Sequence, residues 1–132
     1  MNKITVKQLA TMARVSSRTL RHYDDLGLLP AQRDSVNNYR YYTTTDMLRL
    51  QQILFYRKLG LSLSEIQGIL HAPDFTLEKA LSRHRSHLQK EQVRLQTLIQ
   101  TVDHTLNYLK GKSTMNTQRL FKGLTPEEEN AF

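Results

Sequence analysis

Arg18-Thr19-Leu20-Arg21-His22-Tyr23-Asp24, followed by Asn38-Tyr39-Arg40-Tyr41-Tyr42, is the part of the chain whose reading decides the fold. The first piece reads as a basic, aromatic helix opening just after a serine. The second reads as a strand, with Tyr39 and Tyr41 on one face and Arg40 and Tyr42 on the other. One of two adjacent strand residues normally faces inward, and Tyr41 is the expected core residue of this pair. Long cationic and phenolic side chains on a helix and a nearby hairpin suit a groove and its flanking phosphates. That combination points to duplex DNA.

Working outward, Thr5 followed by Gln8 is a capping-box signature, and Val6, Leu9, Ala10 and Ala13 then follow helical spacing. Ser16 caps the basic helix, whose apolar positions are Leu20, Tyr23 and Leu26. Gly27 can end it in a left-handed conformation, with Pro30 shortly after. Two short helices joined by Ala13-Arg14-Val15 make a helix-turn-helix. Residues 31–43 then change to strand period, and Asn37-Asn38 predicts a tight turn, because asparagine tolerates positive φ. The expectation is a short hairpin, or wing. Helical periodicity returns from Asp46 to Leu59, stops at Gly60, and resumes from Ser62 or Ser64 to Leu70.

Beyond Pro73, Thr76 opens a helix reaching Leu109, about 50 Å long at 1.5 Å per residue. Leu81, Leu88, Leu95, Val102 and Leu109 recur every seven residues. Ile99 and Leu106 fill the complementary positions, and Arg85 and Gln92 interrupt them nearer the start. This is a coiled-coil seam, best in its second half, and it predicts a homodimer. The pattern alone leaves parallel and antiparallel pairing open. After Lys110-Gly111-Lys112-Ser113 the spacing predicts a polar linker. Thr125-Pro126-Glu127-Glu128 is a strong helix start, with a cap, a proline at the first position and a glutamate at the third. The chain stops at Phe132 after barely two turns, which predicts that a further domain follows. The expected organisation is a DNA-binding domain over 1–73, a dimerisation helix over 74–110, and a linker with the start of an effector domain over 111–132.

Charge supports the same partner. The chain carries +7 overall, and residues 1–72 hold ten Lys/Arg against five Asp/Glu while residues 73–132 hold nine against seven. The surplus lies where the groove-reading pieces lie, as expected for a polyanion partner. There is no cysteine, which excludes disulfides and thiolate metal sites and fits a reducing, cytoplasmic setting. No apolar run approaches the roughly 18 residues of a membrane span, and the N-terminus lacks a signal-peptide core. Neither a phosphate loop nor a nucleophile elbow nor a zinc-binding helix motif is present, so no catalysis and no cofactor is expected. His84 and His87, with His71 and His104, are expected to be surface histidines rather than metal ligands.

In a helix-turn-helix the second helix lies in the major groove and its N-terminal residues meet base edges. Ser17, Arg18, Arg21 and His22 lie on the polar face of this helix. Tyr23 either packs its ring in the core or offers its hydroxyl to a phosphate, or does both. Arg21 has Asp24 or Asp25 as an alternative partner. Tyr39 and Arg40 are the wing candidates. Arg57 and Lys58 close a helix at Gly60, where they complement its dipole or meet a phosphate.

The pattern Val15-Ser16-x-Arg18-Thr19-Leu20-Arg21-His22-Tyr23-Asp24-x-x-Gly27-Leu28-Leu29-Pro30 resembles the helix-turn-helix of the MerR family of transcription regulators. Asn38-Tyr39-Arg40-Tyr41-Tyr42 is similar to that family's first wing, with Asn38 where relatives usually carry glycine. Leu50-Gln51-Gln52-Ile53-Leu54-Phe55-Tyr56-Arg57-x-Leu59-Gly60 and the long helix extend the match over residues 4–109. The tail, with Met115-Asn116 and Leu120-Phe121-x-Gly123, is similar to the multidrug-responsive subgroup typified by TipA and Mta. The resemblance implies a mainly α protein: a winged helix-turn-helix whose long C-terminal helix forms an antiparallel coiled coil. It also implies a homodimer on a pseudo-palindromic promoter, with DNA contacts from Arg18, Arg21, His22, Tyr23, Tyr39, Arg40, Arg57 and Lys58. Relatives bend and untwist an overlong promoter spacer for RNA polymerase, and those of the subgroup suggest a hydrophobic, drug-like effector held by a domain missing from this chain.

Overall fold

The computed structural model describes residues 3–124. Its elements run β1 (Ile4–Thr5), α1 (Val6–Ala13), α2 (Ser17–Asp25), β2 (Gln32–Arg33), β3 (Arg40–Tyr42), α3 (Thr44–Lys58), α4 (Leu63–Leu70) and α5 (Leu77–Leu109). The protein is mainly helical, with a winged helix-turn-helix and a long last helix, as expected. The chain forms two compact units, Met1–Ala80 and Leu81–Phe132.

In the first unit the helix starts are set by side chains that take up orphan amides. Thr5 and Gln8 bond reciprocally, the Gln8 amide N–H donating to Thr5 Oγ1 at 3.0 Å. Thr43 with Asp46 and Ser62 with Glu65 repeat this capping box for α3 and α4. Ser16 Oγ accepts the Thr19 amide at 2.9 Å and opens α2. At the other end of α2, Gly27 adopts φ +72°. The Leu28 amide then reaches back to the Tyr23 carbonyl at 2.9 Å and the Gly27 amide to that of Asp24 at 3.0 Å. This Schellman closure drops Leu28 and Leu29 into the core, both fully buried. Leu9, Leu20, Leu50, Ile53 and Ile66 meet them there.

The sheet has three strands in the order β1-β3-β2, all antiparallel. β1 was not expected; two residues are too short to show a period, and their capping signal conceals the pairing. Its effect is to decide which wing tyrosine is buried. Tyr42 pairs with Ile4, and paired residues share a face, so Tyr42 lies fully buried with Ile4. Tyr41, the expected core residue, is instead half-buried with the Lys3 ammonium 4.8 Å from its ring centre. The hairpin is also longer than a tight turn. Strand pairing ends at Arg33 and Arg40, and Asp34 organises the loop between them. Its carboxylate accepts the Val36 and Asn37 amides at 2.8 and 3.3 Å, and its carbonyl accepts that of Asn38 at 2.9 Å. Asn38 takes the positive φ (+60°) expected of it.

In the second unit Leu88, Leu95, Ile99, Val102, Leu106 and Leu109 are exposed along α5, as is Leu81 at its start. The expected linker proves to be a strap. The Thr101 hydroxyl donates to the Lys122 carbonyl at 2.7 Å, and His104 Nε2 accepts the Asn116 amide at 3.2 Å. Gly123, with φ +82°, lies so close that a Cβ would stand 3.1 Å from Thr97 Cγ2 and 3.2 Å from Leu98 Cδ2. Two histidines expected at the surface are therefore misplaced. His104 is buried under the strap and His84 is buried as well. The helix start at Thr125-Pro126-Glu127-Glu128 lies outside the described residues. Among the described residues no helix is long and apolar enough to cross a membrane.

Candidate nucleic-acid interface

The serine cap and the two buried residues of α2 fix which side of that helix faces outward. Leu20 and Tyr23 are buried, three residues apart on the inner face. Ser17, Arg18, Arg21 and His22 are all exposed, so the structure brings these four candidates together on one face. Tyr23, also a candidate, turns its ring into the core at 5% exposure. It sits tilted by 38° against His22, with ring centres 6.5 Å apart. Burial of this ring is what sets the helix rotation that presents Arg18 and Arg21.

The wing divides its two candidates. Tyr39 stands out from the loop at 72% exposure. Arg40 is drawn inward, where its Nε–H donates to Asp24 Oδ2 at 3.1 Å. Asp24 Oδ1 also accepts the Ala31 amide at 3.2 Å. One carboxylate on α2 thus holds both the chain leaving that helix and the strand of the wing. Of the two carboxylates expected as alternative partners for Arg21, Asp24 pairs with Arg40 and Asp25 with no cation, which leaves Arg21 without an ion pair among the described residues. Arg33, absent from the sequence reading, is exposed on β2 opposite Arg40 and donates to the Asn38 carbonyl at 3.1 Å. Only the strand pairing reveals it, because two strand residues carry no readable alternation.

The wing tip is tied to the N-terminal strand by Lys3 and Asp34, 2.9 Å apart. The Lys3 hydrogen bond, with the Val36 and Asn37 amides, holds the Asp34 carboxyl below the usual carboxylate range, and Asp34 in turn raises Lys3. Behind α2, Arg49 Nε donates to the Leu28 carbonyl at 2.9 Å and Gln67 Nε2 to that of Leu26 at 2.7 Å. These two side chains from α3 and α4 brace the C-terminal end of the exposed helix. Arg57 and Lys58 are exposed in the last turn of α3, where the helix dipole favours cations. No cluster of three or more potential metal ligands occurs among the described residues.

A cationic helix face beside a hairpin with a projecting tyrosine can do two things on a duplex. Arginines at the start of the helix can read guanine acceptors, and the wing can hold the backbone.

Residues 4–72 match the family described as "MerR HTH family regulatory protein", and residues 47–105 match "MerR, DNA binding". The chain is 45% identical over 129 residues to the HTH-type transcriptional regulator SkgA of Caulobacter vibrioides, covering 98% of this chain and 51% of that protein. It is 41% identical to the HTH-type transcriptional activator mta of Bacillus subtilis, covering 96% and 49%. The chain thus spans about half the length of these relatives. The crystal structure of SkgA from Caulobacter crescentus superposes with a TM-score of 0.89 at 44% identity, covering 99% of this chain and 94% of that one. HiNmlR, described as a MerR family regulator lacking the sensor domain, bound to promoter DNA, superposes at 0.58 with 26% identity, covering 86% and 95%.

Proposed function

The chain belongs to the MerR family of helix-turn-helix regulators, and we propose that it is a homodimeric transcriptional activator of a pseudo-palindromic promoter. The observation that carries this reading is the outward face of α2: Ser17, Arg18, Arg21 and His22 exposed on a helix whose other side is locked by Leu20 and Tyr23. Tyr39, Arg33, Arg57 and Lys58 supply phosphate contacts around it. Arg40 acts mainly by holding the wing against Asp24.

Dimerisation through α5 is supported by seven exposed apolar side chains at heptad spacing, from Leu81 to Leu109. The order of polar and apolar layers favours antiparallel pairing. A parallel pair would set Arg85 against the partner's Arg85 and Gln92 against the partner's Gln92. Antiparallel pairing lays this interrupted first half on the uninterrupted second half of the partner. Two reading heads joined in one such dimer would grip the duplex on both sides of the dyad. Their fixed spacing distorts the spacer between the promoter elements, which is deformation readout, and realigns them for RNA polymerase. A small-molecule effector bound by a C-terminal domain outside this chain would set the balance between bound states; the relative MtaN of Bacillus subtilis is a multidrug transporter activator.

The test is operator binding by gel shift and footprinting across a salt series. Arg18→Ala is expected to cost about 1–3 kcal/mol of specific affinity. Loss of one phosphate contact, as in Arg33→Ala, should lower the log–log salt slope by about one. Unchanged operator preference in Arg18→Ala would refute the assignment of this face.

A further inference from the structure

The strap turns the chain around. An antiparallel pair of α5 helices places the two Leu109 ends at opposite extremes of the dimer, and a chain running straight on from there would carry whatever follows far apart. Here it does not run on. After Gly111 it folds back along its own helix, the Asn116 amide on His104 and then the Lys122 carbonyl on Thr101. Gly123 ends against Thr97 and Leu98, where a Cβ would press on both side chains. The return covers about 12 residues of helix, or roughly 18 Å.

The heptad fixes where the dyad falls. In antiparallel coils the two kinds of core position pack against each other. The register that keeps Leu81 in the seam sets Leu81 on the partner's Leu106, Leu88 on the partner's Ile99 and Leu95 on the partner's Gln92. The twofold axis then passes between residues 92 and 95, about four residues from the spot where Gly123 is seated. Sliding the pairing by one core layer moves the axis by only about 5 Å, which leaves the strap end beside it.

We propose that the strap returns both chains to the middle of the coiled coil, so that Leu124 of each copy lies level with the dyad, on the side of α5 away from the Leu81–Leu109 seam, rather than beyond the two ends. Phe121 and Leu124 are both exposed, at 60% and 59%, which an end-of-chain linker would not require. This rests on the antiparallel dimer proposed above.

The chain contains no cysteine, so single spin labels report without interference. Leu124→Cys and Lys110→Cys, each labelled in the full chain, are to be measured by double electron–electron resonance alongside the mass by light scattering. The expected label separation is about 20–30 Å at residue 124 and about 50 Å at residue 110, from the helix rise and an interhelical spacing of 8–10 Å. Adding Gly123→Val, which puts side-chain atoms against Thr97 and Leu98, should lengthen and broaden the 124 distance and leave the 110 distance unchanged. A dimer with the 110 labels about 50 Å apart and the 124 labels equally far apart would overturn the convergence alone. A monomeric mass, or 110 labels within about 20 Å, would overturn the antiparallel dimer and this inference with it.

Discussion

Asp24 near the end of α2 accepts the Nε–H of Arg40 on β3 at 3.1 Å, and its second oxygen accepts the Ala31 amide at 3.2 Å. Both side chains of the ion pair are about a quarter exposed, so the pair is partly shielded from solvent. The geometry makes the angle between the exposed helix and the wing depend on one carboxylate. Asp24→Ala is therefore expected to lower stability by about 1–3 kcal/mol, because it leaves a guanidinium and an amide without their acceptor. Operator affinity should fall further than Arg40→Lys lowers it, since lysine keeps the charge but not the guanidinium geometry. Urea unfolding and gel-shift titration measure the two effects separately. Equal stability of Asp24→Ala and the parent would show that the pair holds nothing.

Gly27 and Gly68 should respond to alanine with opposite signs. Gly27 sits at φ +72° in the closure of α2, where a Cβ meets only Gln67 Nε2 at 3.7 Å. Space is available, but the backbone is one that alanine adopts with strain, so Gly27→Ala should cost about 1–2 kcal/mol. Gly68 lies within α4 at an exposed position with open space around it. Gly68→Ala should stabilise by about 0.5–1 kcal/mol through chain entropy. Thermal unfolding of the two variants beside the parent checks both, and a shift of the same sign in both would contradict the argument.

Much of this fold is legible in local chemistry. Thr5 with Gln8, Ser16, Gly27 and Gly60 mark helix ends by side-chain or backbone requirements that act over four or five residues. The heptad of α5 is legible for the same reason: one helix repeats one requirement. What escaped the reading depended on pairing across the chain. Tyr42 rather than Tyr41 is buried because a two-residue strand, Ile4–Thr5, lies beside it. Asp34 replaces the tight turn because its carboxylate gathers amides that Asn37-Asn38 alone would leave open. The strap was hidden because its anchors, Thr101, His104 and Gly123, read as ordinary polar and flexible residues until they are placed against one another. Among the interface candidates, the exposed face of α2 followed directly from helical spacing. The division of labour between Tyr39 and Arg40 did not, because Asp24 decides it from another element.

Gln52 is fully buried on α3, and neither oxygen nor nitrogen of its amide has a hydrogen-bond partner among the described residues. A buried amide without partners costs roughly 1–3 kcal/mol relative to a paired one. Gln52→Leu, close in volume, is expected to stabilise the fold by about 1–2 kcal/mol. Denaturant midpoints at constant slope provide the measurement. A loss of stability in Gln52→Leu would show that the amide is satisfied in solution and would refute the argument.

His84 gives the fold a pH dependence of defined sign. Burial, reinforced by the nearby His87, holds its imidazole below the usual 6.5. The unfolded chain then binds this proton more readily than the folded one. Stability is therefore complete above the ordinary value and declines as pH falls through 6.5, because protonation favours the state in which His84 is exposed. The Asp34 carboxyl, also held low, acts in the same direction but in a separate, more acidic window, losing its support as pH falls through the ordinary carboxylate range and down to its own lowered value. A two-dimensional NMR titration should give His84 a midpoint below 6.5, and melting temperature should fall between pH 7 and 5. His84→Gln should flatten that fall while leaving the acid limb set by Asp34 in place. A His84 midpoint at or above 6.5 would reverse the sign and refute the assignment.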